Sequence, residues 1–113
     1  MKYLCLAYGD ERAWNGLSKD EKAALLAQDE QLRKRGDLVA AVEPASTVVR
    51  AWDGTAHTTE GPFGASFLPL AGFSVIEASS LEEAIRLVAQ TPCARARGAA
   101  EVRPISGDPH PRM

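Results

Sequence analysis

Two four-residue stretches, Ser18-Lys19-Asp20-Glu21 and Ser80-Leu81-Glu82-Glu83, fix two helix starts in a chain of 113 residues. Both have the form of a capping box. The leading hydroxyl accepts from the backbone amide three residues on, and the glutamate reaches back to the first amide. The first helix is expected to run to Arg35, with Arg33, Lys34 and Arg35 in its last turn and Gly36 as its stop. The second places Leu81, Ala84, Ile85 and Val88 at i, i+3, i+4 and i+7, and Pro92 ends it. Between and around these helices the chain reads as strands. They are residues 2–8, Leu38–Val42, Thr47–Trp52, Gly72–Ala78 and Ala100–Ile105, with Thr55–Thr58 returning from an Asp53-Gly54 turn as the second arm of a hairpin.

Two helices at these places cover one face of a largely antiparallel sheet, an α+β fold of the ferredoxin-like, split type. The first strand has Tyr3, Cys5 and Ala7 on one side and Leu4, Leu6 and Tyr8 on the other, so both of its sides ask for cover. No third helix is in sight, and the economical cover is a second copy of the sheet. A face-to-face homodimer is therefore expected. Residues 1–105 read as one domain and 106–113, with Pro109 and Pro111, as a frayed tail that also holds His110.

The net charge of −2 comes from interspersed signs, which gives no basic footprint for nucleic acid and no polybasic segment for a membrane. No apolar run approaches the ~18 residues of a membrane helix. Met1–Asp10 reads as a strand rather than a signal peptide. Cys5 and Cys93 make neither a disulfide framework nor a metal motif and read as reduced thiols in the cytoplasm. No phosphate loop, dinucleotide fingerprint or paired-histidine motif occurs, so no metal or cofactor is expected.

Thr59–Phe73 is too long and too aromatic for an ordinary connection, holding Phe63, Phe67 and Phe73 together with Leu68 and Leu70. Those side chains need a dry place in the core, on a ligand or at another subunit. Glu60 precedes Gly61-Pro62, a rigid turn at which a carboxylate either caps local amides or stands at a cleft mouth. Phe63 is an anchor in the core or an interface, or a platform for a ligand; Phe67 belongs to the same apolar loop. His57 is an exposed residue of the hairpin arm or an acid/base near neutral pH. Arg103 shares a strand face with Glu101 and pairs with Glu101 or Glu77, or else holds an anion in a dimer cavity. Tyr8 and Asp10 end the first strand and would line such a cavity.

Met1–Leu6, Glu60-Gly61-Pro62-Phe63, Gly72-Phe73, Leu81-Glu82-Glu83-Ala84 and Glu101-Val102-Arg103-Pro104, in this order and spacing, resemble the YCII-related, or DGPF-domain, family. The resemblance spans residues 1–105 and implies a dimeric α+β barrel. It also implies a bacterial origin, association of some members with extracytoplasmic-function sigma factors, and a few dehydrochlorinase-type relatives. The family's loop aspartate is Glu60 here, and its polar loop positions are Ala65, Phe67, Leu68 and Pro69. Counting back from Gly36, the histidine of the enzyme-like members falls on Ala24. The resemblance therefore favours a non-catalytic homodimeric module binding a small molecule or a protein. The alternatives are a lyase or isomerase using Glu60 or His57, and a sigma-factor accessory.

Overall fold

The computed structural model describes residues 1–64 and 66–107, so His110 and most of the expected tail lie outside the described residues. The chain runs β1 (Lys2–Tyr8), α1 (Glu11–Asn15), α2 (Lys19–Lys34), β2 (Leu38–Ala41), β3 (Thr47–Arg50), β4 (His57–Glu60), β5 (Leu70–Glu77), α3 (Leu81–Val88), α4 (Pro92–Arg95) and β6 (Ala99–Pro104). The fold is α+β. Its sheet has the order β2-β5-β1-β6 with antiparallel neighbours throughout, the ferredoxin-like arrangement.

The register sorts the strands into two faces. Cys5 lies opposite Ser74 and Val102, while Leu6 lies opposite Phe73 and Glu101. On the first face Tyr3, Cys5 and Ile76 join Leu32 of α2 with Ala84 and Val88 of α3 in one buried cluster. On the second, Leu4, Leu6, Phe73 and Val75 stay half-exposed and outside that cluster, and Leu38 is exposed. The double-sided apolar character read in the first strand is thus real, and the helices cover one side of it.

The capping signals do their work locally. Ser18 Oγ accepts from the Glu21 amide at 3.0 Å and Glu21 Oε1 accepts from the Ser18 amide at 2.9 Å. At the other end Gly36 turns at φ +99°, and the Asp37 amide donates back to the Leu32 carbonyl. The second box is only half formed. Ser80 caps the Glu83 amide, but the Glu83 carboxylate takes the amide of Ser79 instead of Ser80. Two short helices were not foreseen. Asp10 accepts from the Ala13 amide and so starts α1, and Pro92 opens α4 as its first residue, a place where its missing N–H costs nothing.

The hairpin also differs from expectation. β3 ends at Arg50, two residues early, and its partner is His57–Glu60, pairing Thr47 with Glu60 and Arg50 with His57. Asp53 explains the wider turn. Its carboxylate accepts from the Thr55 amide and meets His57, while the Gly54 amide closes onto the Ala51 carbonyl. The arm pairs only with itself, as a separate two-stranded sheet. Gly61 leaves it at φ +100°, its amide on the Ser46 carbonyl, and the free loop shrinks to 61–69.

Candidate functional site

Where β1 ends, the Gly9 amide donates to the Pro69 carbonyl, tying the long loop to the exit of the strand. From there the chain passes through α1 into α2, which packs on the first face, and α4 packs against α2, β1 and β6. These elements leave a cleft of about 460 Å³, walled by Trp14 of α1, Leu26 and Asp29 of α2, Leu70 and Ala71 of β5, and Cys93 of α4. A smaller cavity of about 210 Å³ adjoins it and reaches in to Cys5, sharing Leu26, Asp29, Ala71 and Cys93. The size suits a small ligand, and most of the wall is apolar.

Asp29 is the acid that α2 contributes to that wall, which Asp10 and Glu11 also border. It stands four residues after Leu25 and three before the buried Leu32, so it occupies the apolar stripe of α2. Burial pushes its carboxyl above the ordinary carboxylate range, opposed by Arg33 and reinforced by Glu30. Arg33 lies one turn along but gives its guanidinium to Glu30 at 2.8 Å and to the Val39 carbonyl at 3.3 Å. Among the described residues, Asp29 has no ion-pair partner. Burial, and then the charge of Asp29, push the Cys93 thiol upward, so it stays protonated at neutral pH and is a poor nucleophile. Burial likewise raises Cys5, against a hydrogen bond with Ser74. Among the described residues no three His, Cys, Asp or Glu side chains converge on a metal position, and no helix is long and apolar enough to cross a membrane.

The residues singled out from the sequence fall into three separate places. Asp10 borders the cleft, with one carboxylate oxygen taken by the Ala13 amide. Tyr8 and Arg103 lie on the second sheet face, Arg103 opposite Leu4 and donating to Glu101 Oε2 at 2.9 Å. Glu77, on the same face, pairs instead with the N-terminus and Lys2. The others belong to the hairpin arm and its loop. His57 Nε2 sits 3.0 Å from Asp53 Oδ2 in a shallow groove shared with Arg50 and Trp52, both partners largely exposed. The hydrogen bond from His57, then the Thr55 amide, hold the Asp53 carboxyl below its usual range. Arg50 lies over the Phe63 ring, 5.3 Å from its centroid. Glu60, Pro62, Phe63 and Phe67 are exposed, Phe67 at 99%, and Gly61 is half-buried. Ala24 is exposed on α2. Asp29, Trp14 and Cys93 were missed. An acid on a helix's apolar stripe was the available signal for the first; none pointed to the other two.

Among solved structures, 5-chloro-2-hydroxyhydroquinone dehydrochlorinase (TftG) from Burkholderia phenoliruptrix AC1100, in complex with 2,5-dihydroxybenzoquinone, is similar over 94% of each chain. The identity is 19% and the TM-score 0.50, which shows a shared fold. No curated protein matches the sequence. The sequence model of the YCII-related domain matches residues 1–107, and the chain belongs to that family.

Proposed function

We propose that this chain is a non-catalytic, homodimeric small-molecule-binding module whose ligand occupies the cleft beside Asp29. The observation that carries the reading is the cleft itself: a mostly apolar chamber of about 460 Å³ with a half-buried carboxyl that has no ion-pair partner among the described residues. The half-exposed second face, with Leu4, Leu6, Phe73 and Val75, supports the dimer. A thermal-shift screen of small aromatic compounds tests the cleft, using the wild type and a Leu26→Trp variant that fills the chamber. Compounds that raise the melting temperature of the wild type and not of the variant support it. Equal shifts in both, or none in either, would remove the cleft from consideration. A protein-binding form of the same reading uses the arm, where Trp52 is 90% exposed. Binding of a purified extracytoplasmic-function sigma factor, lost on Trp52→Ala, would favour it.

The lyase alternative is favoured by one feature, the histidine His57 oriented by Asp53, which is the relation a general base requires. Glu60, on the same strand, is its second candidate. The substrate class is suggested by the dehydrochlorinase with the same fold. Chloride release from a chlorinated hydroxyhydroquinone, abolished by His57→Ala, would replace the binding reading with this one.

A further inference from the structure

The charges around the cleft name a class of ligand. Among the described residues, its main chamber is bordered by three acidic residues, Asp10, Glu11 and Asp29, and by no basic one. Arg33 borders only the smaller adjoining cavity and is held by Glu30 and the Val39 carbonyl. The indole of Trp14 forms part of the same wall, and the remainder is aliphatic apart from the Cys93 thiol. Resting on the reading that this cleft holds a small molecule, we propose that the molecule is an organic cation, a primary amine on an apolar body about one aromatic ring in size.

Each alternative charge fails on a named residue. An anion entering the chamber would meet the charges of Asp10, Glu11 and Asp29, offset only by the Ala13 amide at Asp10 and by the more distant Arg33. A neutral apolar ligand would strip water from Asp29 and leave its carboxylate without a hydrogen bond, which is costly for a charged group. An ammonium group instead brings three donors and a charge to the half-buried Asp29 carboxyl, which has no ion-pair partner among the described residues. The ring of the ligand then faces Leu26, Leu70 and Ala71. The Trp14 indole offers the type of surface on which organic cations rest. Asp29 provides the pairing, and Asp10 and Glu11 set the sign of the field at the mouth.

Isothermal titration of the full chain with benzylamine, benzyl alcohol and benzoate tests this, because the three share one ring and differ in charge. Benzylamine is expected to bind at least ~10-fold more tightly than the alcohol, the worth of one charge-assisted hydrogen bond, with benzoate weakest. Asp29→Asn should reduce amine binding by a similar ~10-fold and change alcohol binding by less than ~3-fold. Added salt should weaken the amine alone. Should Asp29→Asn fail to fold, Glu11→Gln, on the exposed first turn of α1, is expected to lower amine affinity in the same direction. Alcohol binding that equals or exceeds amine binding overturns the cation and leaves the cleft reading intact. Failure of all three compounds to bind overturns both.

Discussion

A carboxyl on the apolar stripe of a helix carries a cost that shows in its titration. Asp29 is lifted by burial, so its folded-state pKa exceeds its unfolded one. Its contribution to stability is therefore fully present below the unfolded pKa and is lost as pH rises through the folded pKa. At neutral pH the ionised group works against the fold. Asp29→Asn should raise the melting temperature at neutral pH and lose that advantage below the unfolded carboxyl's own pKa of about 3.9, where the group is protonated in both states. The gain should be about a few tenths of a kcal/mol, because solvent reaches half of the group. Thermal denaturation at the two pH values reads it, and an Asn variant less stable at neutral pH would show Asp29 to be structural. Cys93 gives a second readout. The Asp29 charge helps to hold its thiol up, so the same variant should be alkylated faster by iodoacetamide just above neutral pH. A change that stabilises the chain and weakens amine binding would mark Asp29 as kept for a ligand. Its stripe position was the one signal in the sequence, and it went unread because an aspartate in a thin apolar stripe looks like part of the wet face until the sheet beneath it is known.

Between elements, the junction of α2 with β5 depends on Asp37. Its Oδ1 accepts from the Glu77 amide at 3.0 Å, and Arg35 donates to the Glu77 carbonyl. Asp37 Oδ2 is buried without a hydrogen bond and lies 3.4 Å from Arg35 Nε, an ion pair at contact range without hydrogen-bond alignment. Asp37→Ala should cost about 1–2 kcal/mol by freeing the Glu77 amide and leaving Arg35 without its partner. Asp37→Asn, which keeps the acceptor, should recover more than half of that loss. Urea denaturation measures both, and an alanine variant within about 0.5 kcal/mol of wild type would show the junction to be held by packing alone. Long elements were legible because they repeat a period or begin with a cap: α2, α3 and the four sheet strands fall within a few residues of expectation. The helices α1 and α4, at five and four residues, are too short to show a period. The hairpin turn was misjudged because Asp53 bonds forward to Thr55 and His57, which widens a connection that Asp-Gly alone would make tight.

The whole chain exposes more surface than its mass warrants. Its accessible area is 8270 Å², whereas a compact monomer of 12.1 kDa exposes about 6000 Å². Part of the excess belongs to the arm β3–β4, a separate two-stranded sheet in which every residue of β4 is exposed. Another part lies on the second sheet face, whose centre is apolar and whose edges carry Lys2 and Glu77 on one side and Glu101 and Arg103 on the other. That face was legible from the alternation in β1 alone. In the proposed homodimer a second copy covers this face, and sedimentation should then give twice the chain mass. Phe73→Lys is the sharpest disruption. Phe73 lies between Leu6 and Ala40 with no acid directly opposite, is half-exposed in the single chain, and would place an unpaired ammonium between two sheets. The variant should sediment at the single-chain mass with an unchanged circular-dichroism spectrum. A wild type that sediments as a monomer, or a variant that remains a dimer, would refute the face-to-face packing. The same variant separates the candidate sites. The cleft lies on the helix side of the sheet, so benzylamine should bind the monomeric variant as it binds the wild type. Binding that disappears with the dimer would move the site to the space between sheets, where Tyr8 and Arg103 stand.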